Sequence, residues 1–398
     1  MRIAESLKQR DIRLALLLQL FLSIFLAHGY DFRVSYVAGR NIVEGLSPYF
    51  GGTASGWLAE GYGPEVQGIG ETPLWALYLG LSYFLSAGQP FLFNFITKLP
   101  IFGANIALAY LVHSKGCKGW RFYLVNAFLI LTTVTWGKPD NLATYLAVLS
   151  LTATESAVGS ALLLSTSIMI KPLAVAILPA FFSRLRSKSK SWSVKFVVSA
   201  FGVSGMLFIT PFLALGWPFE TVTSGFVNWF EPAGALSPFN VLEIFYGIFA
   251  LPSYWRWVGY LAPVAILILT AYGFFRPAKD TLRLGLLSAS VFFTLRPWTS
   301  EQNLVIALTL FILINGEITS KRLWAVPLLF AFANNSLQQQ LFLLWPGIVS
   351  TLDLLYRPVN IYRLWLKFIL ASAWLLTLWT NVRHTFRSAK ISTLPSAG

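Results

Sequence analysis

The chain has 398 residues, of which 56% are hydrophobic, 16% aromatic and only 12% charged, and its mean hydropathy is +0.64. These values lie outside the range of soluble globular domains and indicate a polytopic membrane protein. The net charge of +14 does not indicate nucleic-acid binding, because the basic residues cluster in short loops between apolar runs, as in cytoplasmic loops that face anionic lipid. The single cysteine, Cys117, excludes a disulfide framework and a cysteine-rich metal site.

The amino-terminal segment predicts the orientation of the chain. Four basic residues, Arg2, Lys8, Arg10 and Arg13, precede the first apolar run at 14–27, and no small-residue cleavage site follows. We therefore expect an uncleaved first span with the N-terminus in the cytoplasm. We expect the protein to lie in the plasma membrane if it is prokaryotic, or in the endoplasmic reticulum if it is eukaryotic.

Apolar runs continue along the whole chain and predict an all-α fold with about 12 transmembrane helices in a single domain, residues 1–398. The basic loop at 184–195 is the strongest cytoplasmic anchor. Several runs are shorter than the roughly 20 residues that span hydrocarbon, so they tilt, extend through polar flanks or line a protein cavity. The runs after the first are 73–87, 91–112, 122–135, 141–153, 157–169, 172–182, 194–216, 241–251, 257–275, 284–295, 304–316, 323–335, 341–355 and 364–381.

Residues 72–121 leave one topological question open. The basic loop at 184–195 is taken as cytoplasmic. If each apolar run that precedes it crosses the membrane, the polar patches at 137–140 and 170–172 lie outside. The basic residues of 115–121 then lie inside, which requires an odd number of crossings between 72 and 113. Two apolar runs occur there, so one of them is re-entrant or interfacial.

Two long outer loops are expected, at 30–71 and 217–240. The first half of the 30–71 loop has apolar residues at helical spacing, which predicts a short amphipathic helix lying on the membrane. Its second half, 50–70, is rich in glycine and lacks periodicity, and we expect a mobile flap there.

Six charged residues next to apolar runs are expected on the outer side of the membrane. Charges close to the membrane core are unfavourable unless they are paired or face water, so each is a candidate for function. The alternative is that the charges close into local pairs, Lys138 with Asp140 and Arg296 with Glu301, which only cap helix ends. The six residues are Asp31, Lys138, Asp140, Lys171, Arg296 and Glu301.

Chemistry at an outer surface favours a lipid-linked substrate, since nucleotide donors are confined to the cytoplasm. A lipid phosphate needs cationic neighbours when it leaves, and Arg suits bidentate contact with phosphate oxygens. Glycosyl transfer also needs a carboxylate that accepts the proton of the acceptor hydroxyl. Asp31 fits the role of this base, while Arg296, Lys171 and Lys138 fit the phosphate role.

Other residues carry weaker signals. His28 and His113 border apolar runs and are predicted to be interfacial residues without a ligand role, and three histidines in the chain do not favour a zinc site. Most Trp and Tyr residues are expected to anchor the chain at the membrane interface. Trp57, Trp229 and Trp298, in outer segments, are retained as candidates for stacking against a sugar.

The segment DFRVSYVAGRNIVEGLSPY, 31–49, resembles the first lumenal loop of the GPI mannosyltransferase I catalytic subunit and its prokaryotic relatives, in the GT-C glycosyltransferase superfamily. Arg40, Gly45, Ser47, Pro48 and Tyr49 fall in register with the pattern of that loop. Four further patches resemble segments of the family in the same order. They are TPLW at 72–75, WGKPDN at 136–141, SIMIKPLAVAILP at 167–179 and RPWTSEQNLV at 296–305.

The resemblance implies a GT-C-like fold with a large first outer loop, an inverting transfer and a polyprenyl- or dolichyl-phosphate sugar donor. Asp31 matches the second acid of the family's D-x-D pattern, and Gly29 replaces the first. A metal-independent base mechanism is therefore favoured over a divalent metal held by two aspartates, and no cofactor is expected. The Gly-rich stretch at 50–70 departs from the eukaryotic pattern, so the acceptor need not be a GPI precursor.

The leading hypothesis is a membrane glycosyltransferase that moves a hexose, expected to be mannose, from a polyprenyl phosphate to a glycan, lipid or protein acceptor on the outer face. In this hypothesis Asp31 is the catalytic residue, and Arg296, Lys171 and Lys138 bind the donor phosphate. Substrate-binding residues are expected to be Arg40, Tyr49, Asp140, Glu301, Gln302 and Asn303.

Two alternatives belong to other classes of protein. The first is a transporter or flippase of lipid-linked sugars, which predicts internal repeats with paired broken helices, and the sequence shows no such self-similarity. The second is a non-catalytic subunit that scaffolds a membrane complex.

Overall fold

A computed structural model describes residues 9–153, 155–220, 234–246 and 253–392. The fold is mostly helical, which confirms the predicted all-α class. In chain order the helices of the first half are α1 Arg10–Phe25, α2 Gly29–Val43, α3 Pro73–Leu85, α4 Pro90–Ser114, α5 Phe122–Val125, α6 Ala127–Leu129, α7 Asp140–Thr152, α8 Ala157–Ile170, α9 Leu178–Ser187 and α10 Lys190–Leu215. Those of the second half are α11 Asn240–Tyr246, α12 Leu261–Phe275, α13 Thr281–Leu295, α14 Val305–Asn315, α15 Arg322–Ala333, α16 Ile348–Tyr356 and α17 Asn360–Ser392.

Within the described residues, four helical segments are long and apolar enough to cross a membrane, judged by length and composition: Pro90–Ser114, Lys190–Leu215, Trp257–Phe275 and Ile348–Arg387. Five apolar helices of 10–17 residues accompany them. These segments indicate membrane association, and the number of about 12 spans stays a prediction. The run at 122–135 is not one helix, because Asn126 ends α5 and accepts a hydrogen bond from the Phe128 amide at the start of α6. A π turn, Ile130–Val134, continues from α6.

The core has two parts. The larger part surrounds α14, whose residues from Val305 to Ile312 are all buried. The smaller part packs α2 against α3. Two glycines make that contact close: a Cβ atom at Gly39 would lie 2.7 Å from the Leu79 carbonyl oxygen, and one at Gly80 would lie 2.5 Å from Ile42. Any larger residue at either position would push α2 away from α3.

Helix α2 confirms the helix predicted for the first half of the 30–71 loop. The second half, predicted to be a mobile flap, instead folds onto α2. Strands β1, Gly52–Thr53, and β2, Glu65–Val66, pair antiparallel. Two side chains of α2 fasten this hairpin: Asn41 Nδ2 donates to the Gly51 carbonyl at 2.7 Å, and Arg33 Nη2 donates to the Gly63 carbonyl at 2.5 Å. The periodicity test missed the hairpin because strands of two residues are too short to show alternation.

The second predicted outer loop, 217–240, lies largely outside the described residues. Its described end forms strand β3, Gly234–Ala235, which pairs in parallel with strand β4, Trp298–Thr299. Ser237 Oγ also donates to the Arg296 carbonyl at 2.7 Å. The loop therefore returns to the chain beside the polar patch at 296–303.

Candidate functional site

Asp31 lies in the first turn of α2, where the helix dipole favours a carboxylate. Three side chains surround it. Lys138 Nζ lies 2.9 Å from Oδ1, Trp136 Nε1 donates to Oδ2 at 2.5 Å, and His28 Nδ1 lies 3.1 Å from Oδ2. The rings of His28 and Trp136 stack with centroids 4.5 Å apart. His28, predicted to be an interfacial residue without a ligand role, thus packs against Asp31 and Trp136, and its Nδ1 makes no hydrogen bond to the described residues.

Lys138 binds a second carboxylate, Glu71, with Nζ 2.6 Å from Oε1. We call Asp31, Glu71 and Lys138 the Asp31 centre. Burial alone raises the pKa of Asp31, but the Lys138 ammonium, with His28 and Trp136, outweighs burial and holds that pKa well below its usual range. Burial alone lowers the pKa of Lys138, but Asp31 and Glu71 raise it above its ordinary value. Asp31 and Lys138 are therefore charged at neutral pH. With two carboxyl groups and one ammonium, the formal charge of the centre is negative.

A second group of polar side chains surrounds Asp140, at the N-terminus of α7, whose side chain is fully buried. Lys171 Nζ lies 2.6 Å from Oδ2, and Asn303 Nδ2 donates to Oδ1 at 2.6 Å. Arg296 Nη1 lies 3.4 Å from Asn303 Oδ1 and donates to it. We call Asp140, Lys171, Arg296 and Asn303 the Asp140 centre. It contains two cations and one carboxylate, so its net charge is positive.

The two centres share one stretch of chain. Lys138 belongs to the first and Asp140 to the second, and only Pro139 separates them. Their Cα atoms consequently lie within about 7.6 Å of each other. The alternative in which Lys138 and Asp140 close into a local pair is wrong, because each binds a partner from a distant segment. Asp31, Lys138, Asp140, Lys171 and Arg296 are brought together as the sequence predicts, and Glu71, which was not predicted, joins them.

Three of the predicted substrate-binding residues, Arg40, Tyr49 and Gln302, take no part in the ion pairs of the two centres. Arg40 is nine residues beyond Asp31 on α2, which places it on the opposite side of the helix and about 13.5 Å along its axis. Its Nη2 donates to the Thr53 carbonyl at 3.0 Å, so it supports the hairpin. Tyr49 is buried, donates to the Glu71 carbonyl at 3.2 Å and stacks on Phe212, which fixes the backbone of Glu71. Gln302 is 3% exposed, and among the described residues its Oε1 has no hydrogen-bond donor.

Glu301 is 1% exposed, and its Oε1 also has no donor among the described residues. Of the tryptophans retained for sugar stacking, Trp57 packs on Phe342 with centroids 5.7 Å apart, and Trp298 Nε1 donates to Ser300 Oγ at 3.0 Å. Trp229 lies outside the described residues.

The sequence prediction missed Lys98, which is buried in the middle of α4. Its Nζ donates to the carbonyls of Leu26, at the end of α1, and Thr135, the latter at 2.6 Å. Lys98 thus ties the segment before His28 to the segment before Trp136. The sequence does carry a signal for Lys98, because a lone lysine inside a 25-residue apolar helix is a candidate functional residue. A cavity of about 20 Å³, lined by Asp31, Trp136 and Lys98, adjoins it and has room for one water molecule.

A further ion pair missed from the sequence joins α11 to α17. Lys367 Nζ lies 2.7 Å from both carboxylate oxygens of Glu243, and the two residues are 1% and 5% exposed. The Lys367 charge also acts on Glu301, so this pair lies near the Asp140 centre. The sequence did not predict this pair, because Glu243 lies in a short apolar run and Lys367 is 124 residues away.

Gly29, at the first position of the D-x-D pattern, stands at a crowded point. A Cβ atom there would lie 2.8 Å from Tyr62 Oη and 2.9 Å from the Phe342 ring. Tyr62 in turn donates to Gln339 Oε1 at 2.8 Å. Across the described part of the chain, no three His, Cys, Asp or Glu side chains are grouped closely enough to hold a metal ion.

The chain matches no family model, no curated protein and no solved structure. Its function is therefore argued from the geometry of the two centres.

Proposed function

We propose that the chain is a membrane glycosyltransferase that transfers a hexose, mannose by the resemblance of its loops, from a polyprenyl phosphate to an acceptor on the outer face. The observation that carries the proposal is the adjacency of two buried polar centres of opposite net charge. The Asp31 centre is negative and the Asp140 centre is positive, and they meet at residues 138–140.

The positive centre suits the phosphate of the donor. Arg296 and Lys171 place two cations beside the single carboxylate of Asp140, so the formal charge of the centre is positive and favours an anion. Asn303 holds Asp140 and receives a hydrogen bond from Arg296, and it therefore orients the guanidinium. Cations placed beforehand at the leaving phosphate stabilise the charge that develops in the transition state.

Lys138 has a different role from the predicted contact with phosphate. Two carboxylates already hold its ammonium at 2.9 and 2.6 Å, and a phosphate would have to displace one of them. We assign Lys138 to positioning Asp31 rather than to the donor phosphate.

Asp31 is the proposed general base. Its low pKa keeps it ionised but weakens it as a base, since proton transfer is most efficient when the pKa of the base lies near the working pH. Glu71 lowers the cost of proton transfer: as Asp31 accepts the proton of the acceptor hydroxyl, the Lys138 ammonium keeps a carboxylate partner at 2.6 Å. The proton passes from the acceptor oxygen to an Asp31 oxygen, the acceptor oxygen bonds to the sugar carbon, and the bond from that carbon to phosphate oxygen breaks.

The test uses purified protein in lipid nanodiscs, radiolabelled polyprenyl-phosphate mannose and a glycolipid extract of the host membranes. Label should move into the extract as polyprenyl phosphate is released. Asp31→Asn should lower the rate by about 100-fold or more, as expected for loss of a general base. Glu44→Gln, an exposed carboxylate beyond the end of the same helix, should leave the rate unchanged.

A normal rate for the Asp31→Asn protein would show that Asp31 is not the base. Passage of the lipid-linked sugar across proteoliposomes without a new glycosidic bond would instead favour the transporter alternative.

A further inference from the structure

We propose that Asn240, Thr299 and Glu301 form a subsite that binds hydroxyl groups of the transferred hexose. This inference rests on the proposed function, and it adds to the phosphate-binding Asp140 centre a separate site for the neutral part of the donor. Each of the three side chains is at most 1% exposed. Each also has an oxygen, Oδ1, Oγ1 or Oε1, that has no hydrogen-bond partner among the described residues.

The backbone brings these oxygens into one region. Thr299 pairs with Ala235 in the β3–β4 bridge, and Asn240 Nδ2 donates to the Ala235 carbonyl at 2.8 Å. Ser300 is extended, so Thr299 and Glu301 lie on the same side of the chain. The residues on the other side confirm this alternation, because Trp298 Nε1 donates to Ser300 Oγ at 3.0 Å.

Glu301 receives no hydrogen bond from a neighbouring cation at Oε1. Lys367 is the cation whose charge acts on Glu301, but its ammonium is already held by both oxygens of Glu243 at 2.7 Å. A buried acceptor without a donor is unfavourable because it has lost its hydrogen bonds to water. Three of them in one region therefore call for an external donor.

The chemistry of the three oxygens fits sugar hydroxyls. A carboxylate and an amide oxygen accept hydrogen bonds, while the threonine hydroxyl both accepts and donates, as a sugar hydroxyl does. Hydroxyl-to-carboxylate hydrogen bonds are also short and strong. The Lys367 charge disfavours a cation at this place. Asn303 of the Asp140 centre follows Glu301 by two residues, so the sugar and its phosphate would bind on neighbouring parts of one segment.

A matched pair of isosteric substitutions tests the inference. Thr299→Val removes a hydroxyl that has no partner among the described residues, whereas Thr309→Val removes one that accepts from Tyr123 Oη at 2.8 Å and donates to the Val305 carbonyl at 2.7 Å. The probes are polyprenyl-phosphate mannose and the same polyprenyl phosphate without sugar, with affinity measured for the purified protein in detergent.

For Thr299→Val we expect about tenfold weaker binding of the sugar-bearing lipid, affinity for the sugar-free lipid within about twofold, and an unchanged or higher unfolding temperature. For Thr309→Val we expect a lower unfolding temperature and unchanged affinities. Burial raises the pKa of Glu301 to about 7, so binding is measured at about pH 8.5, where its carboxylate is ionised. There Glu301→Gln should weaken binding of the sugar-bearing lipid by about tenfold or more, because hydrogen bonds to a charged acceptor are the stronger ones.

Equal affinity of the wild-type protein for the two lipids would overturn the subsite while leaving phosphate binding intact. Unchanged affinity of both Thr299→Val and Glu301→Gln for the sugar-bearing lipid would overturn it too, and would assign the three oxygens to bound water. Failure of the wild-type protein to bind either lipid would overturn both the subsite and the proposed function.

Discussion

At the scale of single residues, the Asp31 centre depends on one ammonium that serves two carboxylates. Asp31 and Glu71 belong to different segments, and Lys138 is the only cation that the described residues place within ion-pair distance of either, apart from the His28 ring. Removing one partner of a buried ion pair is far more damaging than replacing the whole pair by apolar residues. Lys138 should therefore be the most sensitive position of the centre.

Lys138→Met is expected to lower the free energy of unfolding at pH 7 by about 3–5 kcal/mol, because it leaves two buried carboxylates without their cation. Denaturant-induced unfolding in detergent measures this change. Lys188→Met, at an exposed position of the basic loop, is the control and should change the free energy by less than about 0.5 kcal/mol.

The same variant has a predicted pH dependence. In the wild-type protein the folded pKa of Asp31 lies below the unfolded value of about 4, so its stabilisation is complete above pH 4 and is lost as the pH falls. In Lys138→Met, burial of Asp31 remains and raises its pKa above the unfolded value. The variant should thus lose stability as the pH rises above 4, and the difference from wild type should be smaller at pH 3.5 than at pH 7. A constant difference would contradict the assignment.

The residues of the two centres could be predicted from the sequence, but their pairing could not. Asp31, Lys138, Asp140 and Lys171 each stand at the edge of an apolar run, which marks them as candidates. Glu71 was absent from the prediction because it stands in a Gly-rich loop whose fold onto α2 has no periodic signal. Which carboxylate meets which cation depends on helix packing, which local sequence patterns do not encode.

At the scale of secondary structure, the Lys98 side chain of helix α4 joins two segments of the site. Lys98 donates to one carbonyl at the end of α1 and another in the segment that precedes Trp136. These two segments carry His28 and Lys138, which both contact Asp31. The geometry around Asp31 consequently depends on a lysine that does not touch it.

Lys98→Met should lower both stability and transfer activity. The substitution leaves the Thr135 carbonyl unpaired, which is unfavourable by about 1–3 kcal/mol, and frees the segment that carries Lys138. The Leu26 carbonyl keeps a hydrogen bond from Asn94 Nδ2 at 3.0 Å. Thermal unfolding and the transfer assay measure the two effects. Lys115→Met, at the exposed end of the same helix, removes one exposed hydrogen bond to the Thr152 carbonyl and should change neither by much. Full activity of Lys98→Met would show that the lysine does not position the site.

Prediction at this scale succeeded where a regular period exists. Helix α2 follows from the spacing of Val34, Val37, Ala38 and Ile42, of which the first three are buried. The β1–β2 hairpin did not follow, because its strands have two residues each and glycine-rich turns between them. The break at Asn126 was missed because an asparagine inside an apolar run reads as helix until its cap is seen.

At the scale of the whole molecule, the proposed chemistry requires the Asp31 centre on the outer face and the basic loop at 184–195 inside. This orientation can be tested by cysteine labelling, because the single native cysteine, Cys117, is only 7% exposed and should give little background. Composition and hydropathy predicted a helical membrane protein, and four helices of sufficient length support that class. The side of the membrane on which each loop lies stays a prediction.

Single cysteines placed at exposed positions measure that side. Glu60→Cys, in the hairpin segment, should react with a membrane-impermeant maleimide in intact cells, whereas Lys188→Cys should react only after the membrane is permeabilised. The unsubstituted chain controls for Cys117. Labelling of Glu60→Cys only after permeabilisation would place the Asp31 centre in the cytoplasm and refute a lumenal or extracellular reaction.

The crowding at Gly29 limits how this site can be redesigned. Because Tyr62 and the Phe342 ring occupy the space beside that Cα atom, an aspartate pair at 29 and 31 cannot be restored by one substitution. An aspartate at position 29 would first require a smaller residue at both 62 and 342, with the loss of the Tyr62 hydrogen bond to Gln339. Glu71 supplies a second acid from elsewhere in the chain, and the Lys138 ammonium bridges it to Asp31.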